Sequence, residues 1–113
     1  MFKQTFVTAI AALCVFVVAV EAGRFTLYEH PNQHGKAHTF SDGDYECHNL
    51  PGSFNDIGSS VDTHYGCVAL FEHANCGGRR VIFKINCGGP ECCVHADFGF
   101  CDFHDQASSY AMC

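Results

Sequence analysis

An all-β sandwich, assembled from two copies of one unit of about four strands, is the fold class the sequence predicts. Three observations carry that reading. Short runs rich in β-branched and aromatic residues recur between Gly- and Asn-bearing turns. No stretch beyond residue 22 keeps a helical period over two turns. The second half of the chain also repeats the first.

The repeat fixes the order of elements. LYEHPNQHGKAHTF (Leu27 to Phe40) aligns without gaps on LFEHANCGGRRVIF (Leu70 to Phe83) at an offset of 43. FNDIGSSV (Phe54 to Val61) aligns on FHDQASSY (Phe103 to Tyr110) at an offset of 49, so the second copy holds about six extra residues. They fall within INCGGPECCVHADFGFCD, which carries four cysteines that could tie a longer loop down. Phe25-Thr26-Leu27-Tyr28, Cys67 to Phe71 and Arg80 to Phe83 read as strands. Asn32 to Gly35 and Asn75 to Gly78 read as the turns between them, and Leu50-Pro51-Gly52 as a short helical turn at most. There is no Trp to fill a core.

The start of the chain is of another kind. MFKQTFVTAIAALCVFVVAVEAG opens on one Lys, runs apolar from Phe6 to Val20, and offers Val20 and Ala22 to a −3/−1 cleavage rule. Residues 1–22 are therefore expected to be a secretory signal peptide that is removed, and localisation to be secreted and extracellular. The apolar run is short for a membrane span, so no membrane insertion is expected. Residues 23–113 then form one domain, with the first motif at about 24–65 and the second at about 66–113.

Beyond the leader, eleven acidic residues face five basic ones, a balance of −6 with His neutral. That surface argues against nucleic acid and anionic membranes, and it suits cations as well as plain solubility. Of nine cysteines, Cys14 leaves with the leader. The other eight (Cys47, Cys67, Cys76, Cys87, Cys92, Cys93, Cys101, Cys113) suit four disulfides, in about 105 possible pairings that sequence does not decide. They lack the CxxC spacing of a structural zinc cluster.

Each copy opens with an aromatic followed by Gly seven positions later (Tyr28 to Gly35, Phe71 to Gly78), and closes with a string near Asn/Asp-Asn/Asp-x-x-Ser/Thr-Ser. In that repeated order the residues resemble a single βγ-crystallin domain of the calcium-binding, microbial and invertebrate sort. The resemblance covers residues 23–113 and implies a disulfide-stabilised Greek-key β-sandwich of two four-stranded motifs. Two departures stand out. Gln33 and Cys76 replace the family's second aromatic, so ring packing over the hairpin is expected to be lost and a disulfide to take its place at Cys76. His104 stands where the first string has Asn55.

Calcium takes six to eight hard oxygens. Asp56 supplies a charge, Ser59 a hydroxyl, and Gly58 a bend that frees the Ile57 carbonyl; the same residues make Asx and Ser turns in ordinary loops. The resemblance implies that the other copy's hairpin completes each set. One site is then expected from Asp56, the Ile57 carbonyl, Ser59 and the Glu72 carbonyl. The other is expected from Asp105, the Gln106 carbonyl, Ser108 and the Glu29 carbonyl. With one carboxylate each, affinities of about 10⁻⁵ to 10⁻³ M are expected, and the site on Asp56 is expected to be the stronger.

Other chemistry is poorly represented. His30, His34 and His38 could converge on a soft metal near the first hairpin, although exposed turn and strand positions account for them. Asp42 and Asp44 read as turn formers. No nucleophile elbow is present, and oxidised cysteines cannot act as thiolates, so no enzyme is expected. The expected function is a secreted, calcium-binding, non-enzymatic structural or binding module. The alternative is an exported effector on the same scaffold: a venom component, an antimicrobial protein or a protease inhibitor. The resemblance admits it, since relatives include killer toxins and a metalloprotease inhibitor. An extracellular protein target would then be met by the long loop from Asn86 to Asp102, where the copies differ most.

Overall fold

The computed structural model describes residues 23–113, and the expected signal peptide lies outside the described residues. Seven strands run in the order β1 (Arg24–His30), β2 (His34–Ser41), β3 (His48–Asn49), β4 (Ser60–Asp62), β5 (Val68–His73), β6 (Gly77–Phe83) and β7 (Ser109–Met112). Short 3-10 turns at Ala74–Cys76 and Phe98–Cys101 complete the regular elements. Among the described residues no helix is long and apolar enough to cross a membrane.

The strands form two antiparallel sheets, ordered β2-β1-β4 and β3-β7-β5-β6. In each, a hairpin (β1–β2, β5–β6) receives the strand that follows the Ser-Ser string. Leu27 pairs with His38 and Val61; Leu70 pairs with Val81 and Tyr110. A bulge follows Tyr28 and recurs after Phe71. β3, however, leaves the first copy and joins the second sheet, where His48 pairs with Tyr110 and Asn49 with Ser109. This crossing makes the repeat a Greek key.

The second copy returns the exchange without a regular strand. Val61 N–H donates to His95 O at 2.9 Å and Phe98 N–H to Ser59 O at 2.9 Å. The segment from His95 to Phe98 thus lies beside β4 as β3 lies beside β7. Two shared bonds and an abrupt 3-10 turn, tethered by the Cys93–Cys101 disulfide, leave it too short to be a ladder. Four strands per motif were expected; the first motif supplies four, and the second supplies three with this irregular segment in place of a fourth.

Period-two alternation fills the space between the sheets. Phe25, Leu27, Phe40 and Val61 from one sheet meet Val68, Leu70, Val81, Phe83, Tyr110 and Met112 from the other, all buried. Phe25 meets Tyr110 edge-on across the layers, with ring centroids 4.9 Å apart. In place of Trp, the loops add Phe54, Phe98 and Phe103. Full burial of each such side chain stabilises the fold by about 1.5–3 kcal/mol.

Among the described residues four disulfides form: Cys47–Cys76, Cys67–Cys113, Cys87–Cys92 and Cys93–Cys101. The last two lie within the long loop. Its flank also pairs with β6, where Ile82 N–H donates to Glu91 O at 2.8 Å and Arg80 binds the Glu91 carboxylate at 2.7 Å. That pair holds the Glu91 carboxyl below the usual glutamate range.

Candidate functional site

The two strings meet face to face at one end of the sandwich. Asp56 (φ 60°) and Asp105 (φ 56°) both take left-handed backbone, which short Asp side chains tolerate. Asp56 N–H donates to Ala107 O at 2.9 Å, and Asp105 N–H donates to Gly58 O at 3.0 Å. The strings are therefore bonded reciprocally at matching positions.

The side chains follow the same exchange. Ser108 Oγ donates to Asp56 Oδ1 at 2.9 Å, and Ser59 Oγ donates to Asp105 Oδ1 at 3.2 Å. Each serine is also fixed to a hairpin strand: Ser59 N–H donates to Tyr28 O at 2.9 Å, and Ser108 N–H to Phe71 O at 2.8 Å. Ser59 consequently sits next to Glu29, and Ser108 next to Glu72. Asp56, Glu72, Asp105, Gln106 and Ser108 line one open cleft of about 430 Å³.

The expected calcium sets join Asp56 with Ser59 and Asp105 with Ser108; the side-chain hydrogen bonds run between the strings instead, from Ser108 to Asp56 and from Ser59 to Asp105. Asp56 and Asp105 alone within the strings take left-handed backbone, whereas each serine just precedes its strand and is held by backbone to the hairpin of its own sheet.

His104 takes a recognisable place. Asn55 Nδ2 donates to Asp56 Oδ2 at 3.2 Å, and His104 Nε2 lies 3.3 Å from Asp105 Oδ2. The imidazole thus stands beside one aspartate as the amide stands beside the other.

The second serine of each string has a role that the sequence did not disclose. Ser60 Oγ donates to His30 O at 2.7 Å and accepts from Gln33 N–H at 3.0 Å. Ser109 Oγ does the same with His73 O at 2.6 Å and Cys76 N–H at 2.8 Å. Both clamp the hairpin beside the site. Ring packing over the hairpin, expected to be lost, is supplied by histidines. Gly35 (φ +83°) and Gly78 (φ +76°) lie so close under His30 and His73 that a Cβ would come within 2.5 and 2.6 Å of those rings. Cys76 is cross-linked as well, to Cys47.

A second polar cluster lies near the start of β3. His48 Nε2 is 2.8 Å from Asp44 Oδ1 and 3.7 Å from Asp42 Oδ1, and the Tyr110 hydroxyl donates to Asp42 Oδ2. Asp44 does form the expected turn, accepting from Glu46 N–H at 3.0 Å, yet both aspartates also face His48. The bond to His48, then the Glu46 amide, lower the Asp44 carboxyl; the same bond raises His48. Burial, then the bond to Asp42, push the Tyr110 hydroxyl well above the usual tyrosine range. The convergence sketched for His30, His34 and His38 is not the one found: among the described residues, the group that closes to metal-ligand distance is Asp42, Asp44 and His48.

The architecture is that of a βγ-crystallin domain. A βγ-crystallin from Ciona intestinalis superposes with a TM-score of 0.62 over 80% of this chain and 100% of that one, at 21% identity. An archaeal βγ-crystallin gives 0.62 over 82% and 100%, at 22% identity. The domain of Abundant Perithecial Protein from Neurospora crassa, solved in a Ca²⁺-bound form, gives 0.59 over 82% and 90%, at 21% identity. At these identities the likeness is one of fold. No protein-family model matches the sequence, and no curated protein matches it.

Proposed function

We propose that the chain is a secreted, non-enzymatic module that binds calcium at two sites made by the crossed strings, one on Asp56 and one on Asp105. The single observation behind this reading is the reciprocal Asp–Ser exchange. It joins a carboxylate of one string to a buried hydroxyl of the other, twice over, and neighbouring peptide carbonyls would add to each set. All are hard oxygens, the donor class calcium takes, and water would complete the shell. Ser59 and Ser108 are nearly sealed from solvent (0% and 8% exposed) while the aspartates are open, so a cation could enter without rearrangement of the core. The Ca²⁺-bound Neurospora domain, of the same fold, supports the choice of ion.

Calcium would bridge the two strings and so stabilise the folded chain by mass action, about 1–3 kcal/mol at 10- to 100-fold excess over Kd. Four disulfides suit an oxidising, extracellular compartment. Calorimetric titration with CaCl₂ tests the reading. Two equivalents are expected, one lost in Asp56→Asn and the weaker one in Asp105→Asn; heats unchanged in the double variant would refute it.

The effector reading keeps one observation of its own. Phe100 is 78% exposed on the disulfide-clipped loop, beside Pro90 and Arg79. Screening of proteases and microbes with the wild type and Phe100→Ala separates it from a purely structural role.

A further inference from the structure

We propose that Asp42, Asp44 and His48 form a third cation site, distinct from the crossed strings, that takes a transition-type divalent ion such as Zn²⁺. The donor set differs in kind from the calcium sets: one imidazole nitrogen with two carboxylate oxygens. Nitrogen donors favour zinc-like ions over calcium, which takes oxygen almost alone. The three ligand atoms lie within 4.8 Å of one another. A tetrahedral ion with bonds of about 2.0–2.1 Å needs ligand atoms about 3.3 Å apart. The distances from His48 Nε2, 2.8 Å to Asp44 and 3.7 Å to Asp42, straddle that value, so small side-chain rotations suffice. Three protein ligands leave a fourth position for water or an exogenous group.

The surroundings hold each ligand in place. The His48 ring stacks on Tyr110 at 5.4 Å with a 27° tilt, and its backbone is paired to Tyr110 in the sheet. The Tyr110 hydroxyl engages one oxygen of Asp42 and leaves the other facing His48. Glu46 N–H orients Asp44, and the neighbouring Cys47 is anchored to Cys76. These are the outer contacts that orient metal ligands in general. The Greek-key repeat does not require them: at an offset of 43, Ile85 and Cys87 stand where Asp42 and Asp44 stand in the first copy. All three side chains are partly open to solvent, which gives an ion a route in.

The probe is ZnCl₂ titrated into the intact, oxidised protein by calorimetry in saturating CaCl₂, with histidine side-chain NMR as a second readout. One saturable equivalent is expected, with the His48 ring resonances shifting. His48→Gln and Asp44→Asn should each weaken it at least about 10-fold, and Tyr110→Phe about 10-fold through the loss of its hold on Asp42. His38→Gln and the Asp56→Asn/Asp105→Asn pair should leave it unchanged, so the result is independent of the calcium sites. Preserved circular dichroism in the two ligand variants excludes unfolding as the cause. No saturable zinc binding, or binding that survives both His48→Gln and Asp44→Asn, overturns the proposal.

Discussion

The Ser108 hydroxyl donates to Asp56 at 2.9 Å, although 52 residues separate the two in the chain. Ser59 and Asp105 repeat the contact at 3.2 Å, so neither string is complete without the other. A double-mutant cycle makes this measurable. Asp56→Ala with Ser108→Ala should show coupling of about 0.5–1.5 kcal/mol in urea unfolding without calcium, whereas Asp56→Ala with Ser59→Ala should be nearly additive. The reverse pattern would restore the within-string grouping.

Gly35 and Gly78 lie under the His30 and His73 rings in left-handed backbone. Alanine at either position meets both strain and a ring. Gly35→Ala should destabilise by more than about 1 kcal/mol, and His30→Ala in that background should recover only the steric part. Thermal melts of the single and double variants read both components.

Among the disulfides, Cys67–Cys113 spans 46 residues and Cys87–Cys92 spans 5. Loop-closure entropy alone makes the longer closure worth about 2 kcal/mol more. The Cys67→Ser/Cys113→Ser pair should therefore lower the denaturation midpoint further than Cys87→Ser/Cys92→Ser. Equal losses would mean that the short bridge acts mainly by shaping the folded loop.

The long loop should loosen in acid. The folded-state pKa of Glu91 is depressed by Arg80, so its contribution is present above the unfolded value of about 4.3 and is lost as pH falls through the lower folded one. Protection of the Ile82 and Cys93 amides against exchange, relative to the intrinsic rate at each pH, should fall in that window, since their bonds flank the pair. Glu91→Gln should show the faster exchange already at neutral pH.

The repeat, the strands and the identity of the string residues were legible because local patterns encode them: alternation in Phe25 to Tyr28, turn residues before Gly35 and Gly78, and oxygen-bearing side chains at fixed spacing. The crossed grouping was not, because it depends on how far the chain rotates between Asp56 and Ser59, which spacing does not specify. The role of His48 was hidden for a similar reason. Nothing local places its ring against Tyr110, since that contact exists only after β3 has crossed to the other sheet. The histidines over Gly35 and Gly78 could have been anticipated from their shared position five residues before each glycine.

The traffic of β3 into the second sheet, answered by His95 to Phe98 beside β4, has a genealogical consequence. A single unit of this kind lacks an edge that only another unit provides. Standing alone, a one-unit ancestor with the same geometry would have been a symmetric dimer, each protomer lending its third segment and its aspartate to the other. In the present chain the two lent segments differ in kind: one is a cysteine-laced loop, and the other lies beside Asp42, Asp44 and His48.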